Sequence, residues 1–533
     1  MKTSTLSIQE KVGQFFFPAV FINDTEENIQ ATEKLIKKYH IGGLTFFHSR
    51  ASAATNYEAK KKVEFHDDSY LRLKELVARY QKCAKIPLLI SIDAEWGLAM
   101  RVEKTPQYPY ALTLGAMPDS QKQWVYEVGK QIGLDLKSAG INYNLAPLAD
   151  INNNPNNPVI GYRSFGEDKQ KVADFALEYL RGMSEVGVLG CLKHFPGHGN
   201  TNVDSHLGLP VLEETLEELL ENELYPFIKG IENDVDSIMI GHLAVPALNN
   251  GKNTSATLSK AIIKDLLRKE LGYDGLVISD ALNMRSVSDL YAEKGHLEWE
   301  AFQAGNDVLC FAENIPEGIQ AILQKGTEDR IKESFNRIWK CKEKAGLFTE
   351  NKTEIPNLNF EKAHEINTQI ARYSLTTIFD KVHFTDLQKN TVGTLSIYKS
   401  AENEFVTHIN SEFKTTNFEI ATTTDFEFKE LKSNLETLDY VVIVLFVPKA
   451  KPLHNFEVED GMFELLSELL QTKKCLLYVF GNPYVLPLIP NLSHAKRVIQ
   501  VYQDFSEFQK NAAMHFLGHY ECEGNLPVKI EYQ

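Results

Sequence analysis

The segment Lys193–His206, reading KHFPGHGNTNVDSH, gathers three histidines, an aspartate and a lysine around glycines, directly after the apolar run from Leu189 to Leu192. That placement predicts a strand ending in a reactive loop. Asp204 and His206 flank a single residue. Asp204 could accept a hydrogen bond from one imidazole nitrogen of His206, orienting the ring and stabilising its charged form while the other nitrogen faces a substrate. Such a pair needs a nucleophile. Asp280 ends a second apolar run, GLVISDAL from Gly275 to Leu282, and a carboxylate at a strand end can be aimed rigidly at an electrophilic carbon. Its competing structural role is to cap a helix beginning near Leu282. His194, His198, Asp204 and His206 are also acceptable zinc ligands, but Gly197, Gly199 and an Asn/Thr run separate them. Metal ligands are usually held on rigid elements at short, regular spacing, so no metal and no cofactor is expected.

Elements able to carry these residues recur along the chain. Eight short β-rich runs precede residue 315: 13–20, 42–47, 87–93, 141–150, 189–195, 237–245, 275–280 and 306–311. Amphipathic stretches such as SQKQWVYEVGKQIGLDLKSAG, DKQKVADFALEYLRGM and LEETLEELLENELYPFIKGI lie between them, with apolar residues returning every three or four positions. Eight β/α units in succession predict an α/β fold of the (β/α)8 TIM-barrel type, whose active site forms where the strands end. Asp93 ends the third run, Lys193 and His194 the fifth, His242 sits late in the sixth, and Asp280 ends the seventh. The expected division is a catalytic barrel over 1–345, a linker over 346–372 and a smaller αβα layered domain over 373–533. Its strands are predicted at 392–398, 439–447, 474–481 and 496–503. No G-x-G-x-x-G or P-loop supports nucleotide binding.

Composition narrows the function classes. Lys+Arg 56 against Asp+Glu 72 gives a net charge of −16, which disfavours nucleic acid and anionic membrane surfaces as partners. Hydrophobic content of 43% is that of a folded globular protein. The six cysteines show no C-x-x-C spacing and read as buried reduced thiols. The first residues lack an apolar stretch of signal-peptide length, and FFFPAVFI is too short to span a bilayer, so a cytoplasmic location is expected.

Several motifs in order resemble glycoside hydrolase family 3, in its β-N-acetylglucosaminidase branch: EKVGQFF, IGGLTFF, SIDAEWGLAMR, APLADINNNPNNPVIGYRSFGED, KHFPGHGNTNVDSH and TSATLSKAIIKDLLRKELGYDGLVISDALNM. The resemblance spans the N-terminal two-thirds; the C-terminal third carries no matching motif. It implies a (β/α)8 barrel followed by an αβα domain, and retaining glycoside hydrolysis without a metal. It makes Asp280 the nucleophile, His206 the acid/base and Asp204 its partner, with Asp93, Arg101, Arg163, Lys193 and His194 gripping the sugar. Ordinary retaining enzymes place two carboxyl groups roughly 5–5.5 Å apart; here an imidazole replaces one of them. The chain departs from the family at IDAEWG, where IDQEGG is common, with Trp96 in place of a glycine and Leu98 in place of an arginine. Trp96 either packs as core or offers a stacking face beside the sugar.

The expected activity is therefore exo-acting removal of β-linked N-acetylglucosamine from the non-reducing end of a glycan or peptidoglycan fragment, as in cell-wall recycling. The alternatives are a β-glucosidase, an N-acetylglucosaminide phosphorylase, since imidazole repels phosphate less than a second carboxylate would, a metal hydrolase, and a catalytically idle glycan-binding protein.

Overall fold

A computed structural model of the chain describes residues 5–49, 66–202, 208–349, 356–422 and 431–531. The chain divides into two compact units. The first comprises 1–108, 125–164 and 169–363, and the second comprises 109–124, 165–168 and 364–533.

The strands of the first unit are β1 (Phe16–Phe17), β2 (Ala19–Asn23), β3 (Gly43–Ser49), β4 (Leu89–Ile92), β5 (Tyr143–Asn144), β6 (Leu192–Phe195), β7 (Ser237–Ile240), β8 (Leu276–Ser279) and β9 (Leu309–Cys310). All of their pairings are parallel: β2-β3-β4-β5, β6-β7-β8 and β1-β9. Parallel bridges from Tyr143 to Leu189 and from Ile278 to Val308 extend the hydrogen bonding from β5 toward β6 and from β8 toward β9. Every residue of β4, β7 and β8 is buried. A parallel strand covered on both faces reads as a continuous apolar run instead of an alternating one, which is why LISI, SIMI and LVIS carry so little polarity.

The intervening helices follow their amphipathic pattern. In Ser69–Cys83 the buried positions Leu73, Leu76, Val77 and Tyr80 return every three or four residues and make one inward face. The stretch 212–231, which reads as one helix, is instead two, Leu216–Glu221 and Tyr225–Glu232. Thr215 and Glu218 form a capping box on the first helix, and Pro226 stands in the first turn of the second. Proline lacks the N–H that an uninterrupted helix would need there, and is tolerated only near a helix start.

The second unit is built on a six-stranded sheet of β10 (Thr376–Asp380), β11 (Val392–Ile397), β12 (Thr416–Ile420), β13 (Tyr440–Phe446), β14 (Lys474–Phe480) and β15 (Arg497–Gln500), in the order β10-β15-β14-β13-β11-β12. Only β10 runs antiparallel to its neighbour. Two short segments from the N-terminal half belong to this unit. Gln503 Nε2 donates to Thr113 Oγ1 at 3.0 Å, Asn525 N to Ala116 O at 2.8 Å, and Glu167 N to Pro527 O at 2.9 Å. A single cut near residue 345 therefore differs from the observed grouping. The region 346–372 also differs from a plain linker, because the helix Phe360–Ser374 occupies part of it.

Candidate active site

The sites anticipated from sequence sit where strands of the first unit end. Asp93 follows β4, Lys193 and His194 lie in β6, and Asp280 follows β8. Asp204 and His206 lie outside the described residues.

Lys193 is the centre of the charged group. Its side chain is 2% exposed, and its Nζ donates to Asp93 Oδ1 and approaches Glu95 Oε1, each at 2.8 Å. Burial opposes its charge, yet the Asp93 and Glu95 carboxylates outweigh that penalty and raise its pKa. Arg163 grips Glu95 with two parallel bonds, Nη2 to Oε1 at 2.8 Å and Nε to Oε2 at 2.9 Å, the fork geometry that guanidinium and carboxylate share. Burial pushes Glu95 up, but Arg163 and Lys193 hold its carboxyl well below the usual range. Arg101 completes the group, with Nη2 3.5 Å from Asp93 Oδ2 and its guanidinium 3.9 Å from the centre of the Phe47 ring. Thus Asp93, Arg101, Arg163 and Lys193 are brought into one network, and Glu95, which the sequence reading passed over, is its hub.

His194 belongs to an adjoining cluster. Its Nδ1 donates to Asp150 Oδ2 at 2.8 Å and its backbone N to Asp150 Oδ1 at 3.1 Å, fixing the tautomer and the ring plane. The backbone N of His198 donates to the same Oδ1 at 2.8 Å. The imidazole of His198 is buried edge-on to His194 at 5.8 Å, with Nδ1 2.7 Å from Thr201 Oγ1. Burial, reinforced by His194, lowers the His198 pKa to about 4 against the pull of Asp150 and Asp280, so the ring is neutral at neutral pH. Asp150 also escaped the sequence reading, although a lone acid ending the run INYNLAPLAD was its signal.

The Asp280 charge opposes the lowering of the His198 pKa, and it adds with Asp93 to the burial that raises the Cys310 thiol. The Asp280 backbone N donates to Ile240 O at 2.9 Å, and its Oδ1 accepts from Ala281 N at 2.7 Å. The next helix is Arg285–Ser288, with Met284 at the capping position. Asp280 therefore does not cap a helix near Leu282, because the chain there is still irregular.

The turn bearing Glu95 and Trp96 is held from behind. Ala94 exchanges two hydrogen bonds with the Asn144 side chain at 3.0 and 3.2 Å, and Tyr108 N donates to Trp96 O at 3.1 Å. Trp96 is half-buried, and its ring lies 6.0 Å from that of Tyr162, the residue before Arg163. Behind the turn, the buried Asp135 accepts from Tyr108 Oη at 2.8 Å and from Gln131 Nε2 at 3.2 Å. Burial outweighs both bonds and raises the Asp135 pKa to about 7. An unfolded aspartate ionises near pH 4, so between about pH 4 and pH 7 the folded state binds more protons and stability falls as pH rises, by at most about 1.4 kcal/mol per unit. Asp135→Asn is therefore expected to gain stability relative to the parent between pH 5 and pH 8, as thermal melts of both proteins at the two pH values would show.

Among the described residues no cluster of His, Cys, Asp and Glu side chains is arranged to hold a metal ion. None of their helices is long and apolar enough to cross a membrane.

Residues 7–341 match the Glycosyl hydrolase family 3 N terminal domain. The chain belongs to glycosyl hydrolase family 3. It is 36% identical over 288 residues to the β-hexosaminidase A of Pseudoalteromonas piscicida, covering 52% of this chain and 46% of that protein. It is 27% identical over 351 residues to a β-N-acetylglucosaminidase/β-glucosidase of Cellulomonas fimi, covering 63% and 58% respectively. The chain thus spans about half the length of these two relatives. The structure of a family 3 β-N-acetylglucosaminidase from Paenibacillus sp. str. FPU-7 superposes with a TM-score of 0.78 at 27% identity, over 98% of this chain and 99% of that one. A β-glucoside phosphorylase structure shares the fold at a TM-score of 0.80 and 22% identity, over 99% and 95%.

Proposed function

We propose that this family 3 protein is a retaining exo-β-N-acetylglucosaminidase, and that the strand run from β1 to β9 closes into a (β/α)8 barrel with the active site at its strand ends. Support for closure comes from the parallel pairs within three sheets, β2-β3-β4-β5, β6-β7-β8 and β1-β9, and from the parallel bridges that link β5 toward β6 and β8 toward β9. The observation that carries the activity is the placement of the Asp93, Glu95, Lys193 and Arg163 network at the ends of β4 and β6, with Asp280 at the end of β8 in the same unit. In this reading the Asp280 carboxylate, which accepts from the Ala281 N–H, works with the donors and acceptors of that network, which hold the sugar hydroxyls. The names of the hexosaminidase relatives favour the N-acetylated sugar.

In this reading Asp280 attacks the anomeric carbon while His206, oriented by Asp204, gives its proton to the leaving oxygen. Neutral His206 then takes a proton from water, which releases the sugar with its original configuration. Asp93, Lys193, His194, Arg101 and Arg163 bind and orient the ring. The Trp96 and Tyr162 rings supply an apolar face for the leaving group.

Phosphorolysis is the second reading, favoured by the charge of the sugar-contact network, in which three cations face the two carboxylates of Asp93 and Glu95. A single panel separates the readings. Aryl N-acetyl-β-glucosaminide, aryl β-glucoside and an N-acetylglucosamine-bearing muropeptide are each incubated with and without phosphate, and the product is read as free sugar or sugar 1-phosphate. Free N-acetylglucosamine with the same yield in both buffers is the expected result. Sugar 1-phosphate as the main product would replace hydrolysis by phosphorolysis, preference for the glucoside would replace the sugar, and no turnover of any substrate would sink the enzymatic reading.

A further inference from the structure

We infer that His242 is a positioning residue for Asp280, an inference resting on the role proposed for Asp280 as nucleophile. His242 follows β7 and is fully buried. Its Nε2 lies 2.9 Å from Ala281 O and its Nδ1 lies 2.8 Å from Thr257 Oγ1. A carbonyl only accepts, so Nε2 carries the proton and donates to Ala281 O, while Nδ1 faces the Thr257 hydroxyl, which also lies 3.1 Å from Gly241 O and 3.2 Å from Ile240 O.

Ala281 is consequently held at both ends. Its carbonyl is fixed by His242, and its N–H donates to Asp280 Oδ1 at 2.7 Å. The hydrogen bond from Asp280 N to Ile240 O ties the same residue to the strand that bears His242. On the far side, Leu282 N donates to Cys310 O at 3.0 Å. The carboxylate is thus set by two fixed neighbours instead of by a contact to its own side chain alone. The end of β7 also reaches the other half of the site. Gly241 N donates to Phe195 O at 3.0 Å, and a Cβ on Gly241 would come within 2.9 Å of the His194 Cβ. One strand end therefore registers the nucleophile against the sugar-binding histidine.

The test measures the first chemical step directly. A 5-fluoro-N-acetylglucosaminyl fluoride reacts by forming a bond between an Asp280 oxygen and the anomeric carbon, while the C–F bond breaks and fluoride leaves with its electron pair. Mass spectrometry of the labelled peptide gives the rate constant, and the concentration dependence gives the affinity before reaction. His242→Gln retains an N–H for the Ala281 carbonyl, His242→Phe does not, and Thr257→Val removes the hydroxyl that faces Nδ1 together with its contacts to Ile240 O and Gly241 O. The expected labelling rate falls about 10- to 100-fold in His242→Phe and several-fold in Thr257→Val, since a misplacement of about 1 Å costs that much. His242→Gln stays within a few-fold of the parent, and the affinity before reaction is unchanged throughout.

Labelling of His242→Phe at the parental rate, a loss confined to affinity, or a His242→Gln variant as slow as His242→Phe would overturn the inference. Should His242→Phe fail to fold, Thr257→Val and His242→Gln decide, and a parental rate in Thr257→Val combined with a large loss in His242→Gln overturns it as well. A parent protein that is labelled at some residue other than Asp280, or not at all, would instead overturn the reading of the active site on which the inference rests.

Discussion

Asp280→Asn is expected to lower kcat on an aryl N-acetyl-β-glucosaminide by about 10³- to 10⁵-fold while KM changes little, because the amide keeps the shape of the site but cannot form the glycosyl ester. The backbone around it is held independently of the carboxylate, by the bonds from Asp280 N to Ile240 O and from Leu282 N to Cys310 O. The variant should therefore fold normally, and its thermal melt is the control. Asp280→Gly opens room on the face that the nucleophile leaves. Azide is expected to restore turnover there and to give the α-glycosyl azide, whose configuration is read by nuclear magnetic resonance. Retention of activity within tenfold in Asp280→Asn would remove Asp280 from the chemistry. A β-configured azide product would show that the attacking face is not the one assigned.

Much of this arrangement was legible because strand ends leave a strong trace. Buried parallel strands are short apolar runs, and a polar residue closing such a run stands out, as Asp93, Lys193, His194 and Asp280 do. In the second unit β11, β13, β14 and β15 were visible for the same reason. The strands β10 and β12 were not, because both are edge strands: four of the five residues of β12 are not buried, and TNFEI carries no apolar run.

Glu95 carries no local signal, since its partners Arg163 and Lys193 lie far along the chain. A second carboxylate two positions beyond Asp93, paired with Arg163 and Lys193 from distant segments, is visible only when those segments are brought together. The same holds for the two stretches at 109–124 and 165–168. Their hydrogen bonds to Gln503, Asn525 and Pro527 join residues hundreds of positions apart, and no local pattern announces them. His242 stands among the polar residues late in apolar runs, but its partners, Thr257 and Ala281, follow from topology.

Lys193→Met should produce the second large effect, and it separates stability from catalysis. Methionine fills much of the same volume but leaves Asp93 and Glu95 without the cation they share, and breaking a buried pair from one side costs about 3–5 kcal/mol. Arg163 still pairs with Glu95, so the loss should fall toward the lower end of that range. Its pH dependence has a definite sign. The Glu95 pKa is depressed in the folded protein by Arg163 and Lys193 against burial, so its contribution is present above the unfolded glutamate pKa and is lost only as pH falls through the folded one. Removing Lys193 raises the folded pKa and shrinks that contribution. The melting difference between parent and Lys193→Met is accordingly expected to hold steady through neutral and mildly acid pH and to narrow only as pH falls below the Glu95 pKa of the folded variant. Catalysis should suffer separately, with kcat/KM falling about 10²- to 10³-fold, the loss that accompanies removal of one preorganised donor. Lys193→Arg keeps the charge and should recover most of the stability. Its planar fork cannot place a single donor between two carboxylates as the ammonium does, so activity should stay low. Recovery of both properties in Lys193→Arg would mean that Lys193 serves only as a counter-charge, and that the sugar is gripped by the remaining residues.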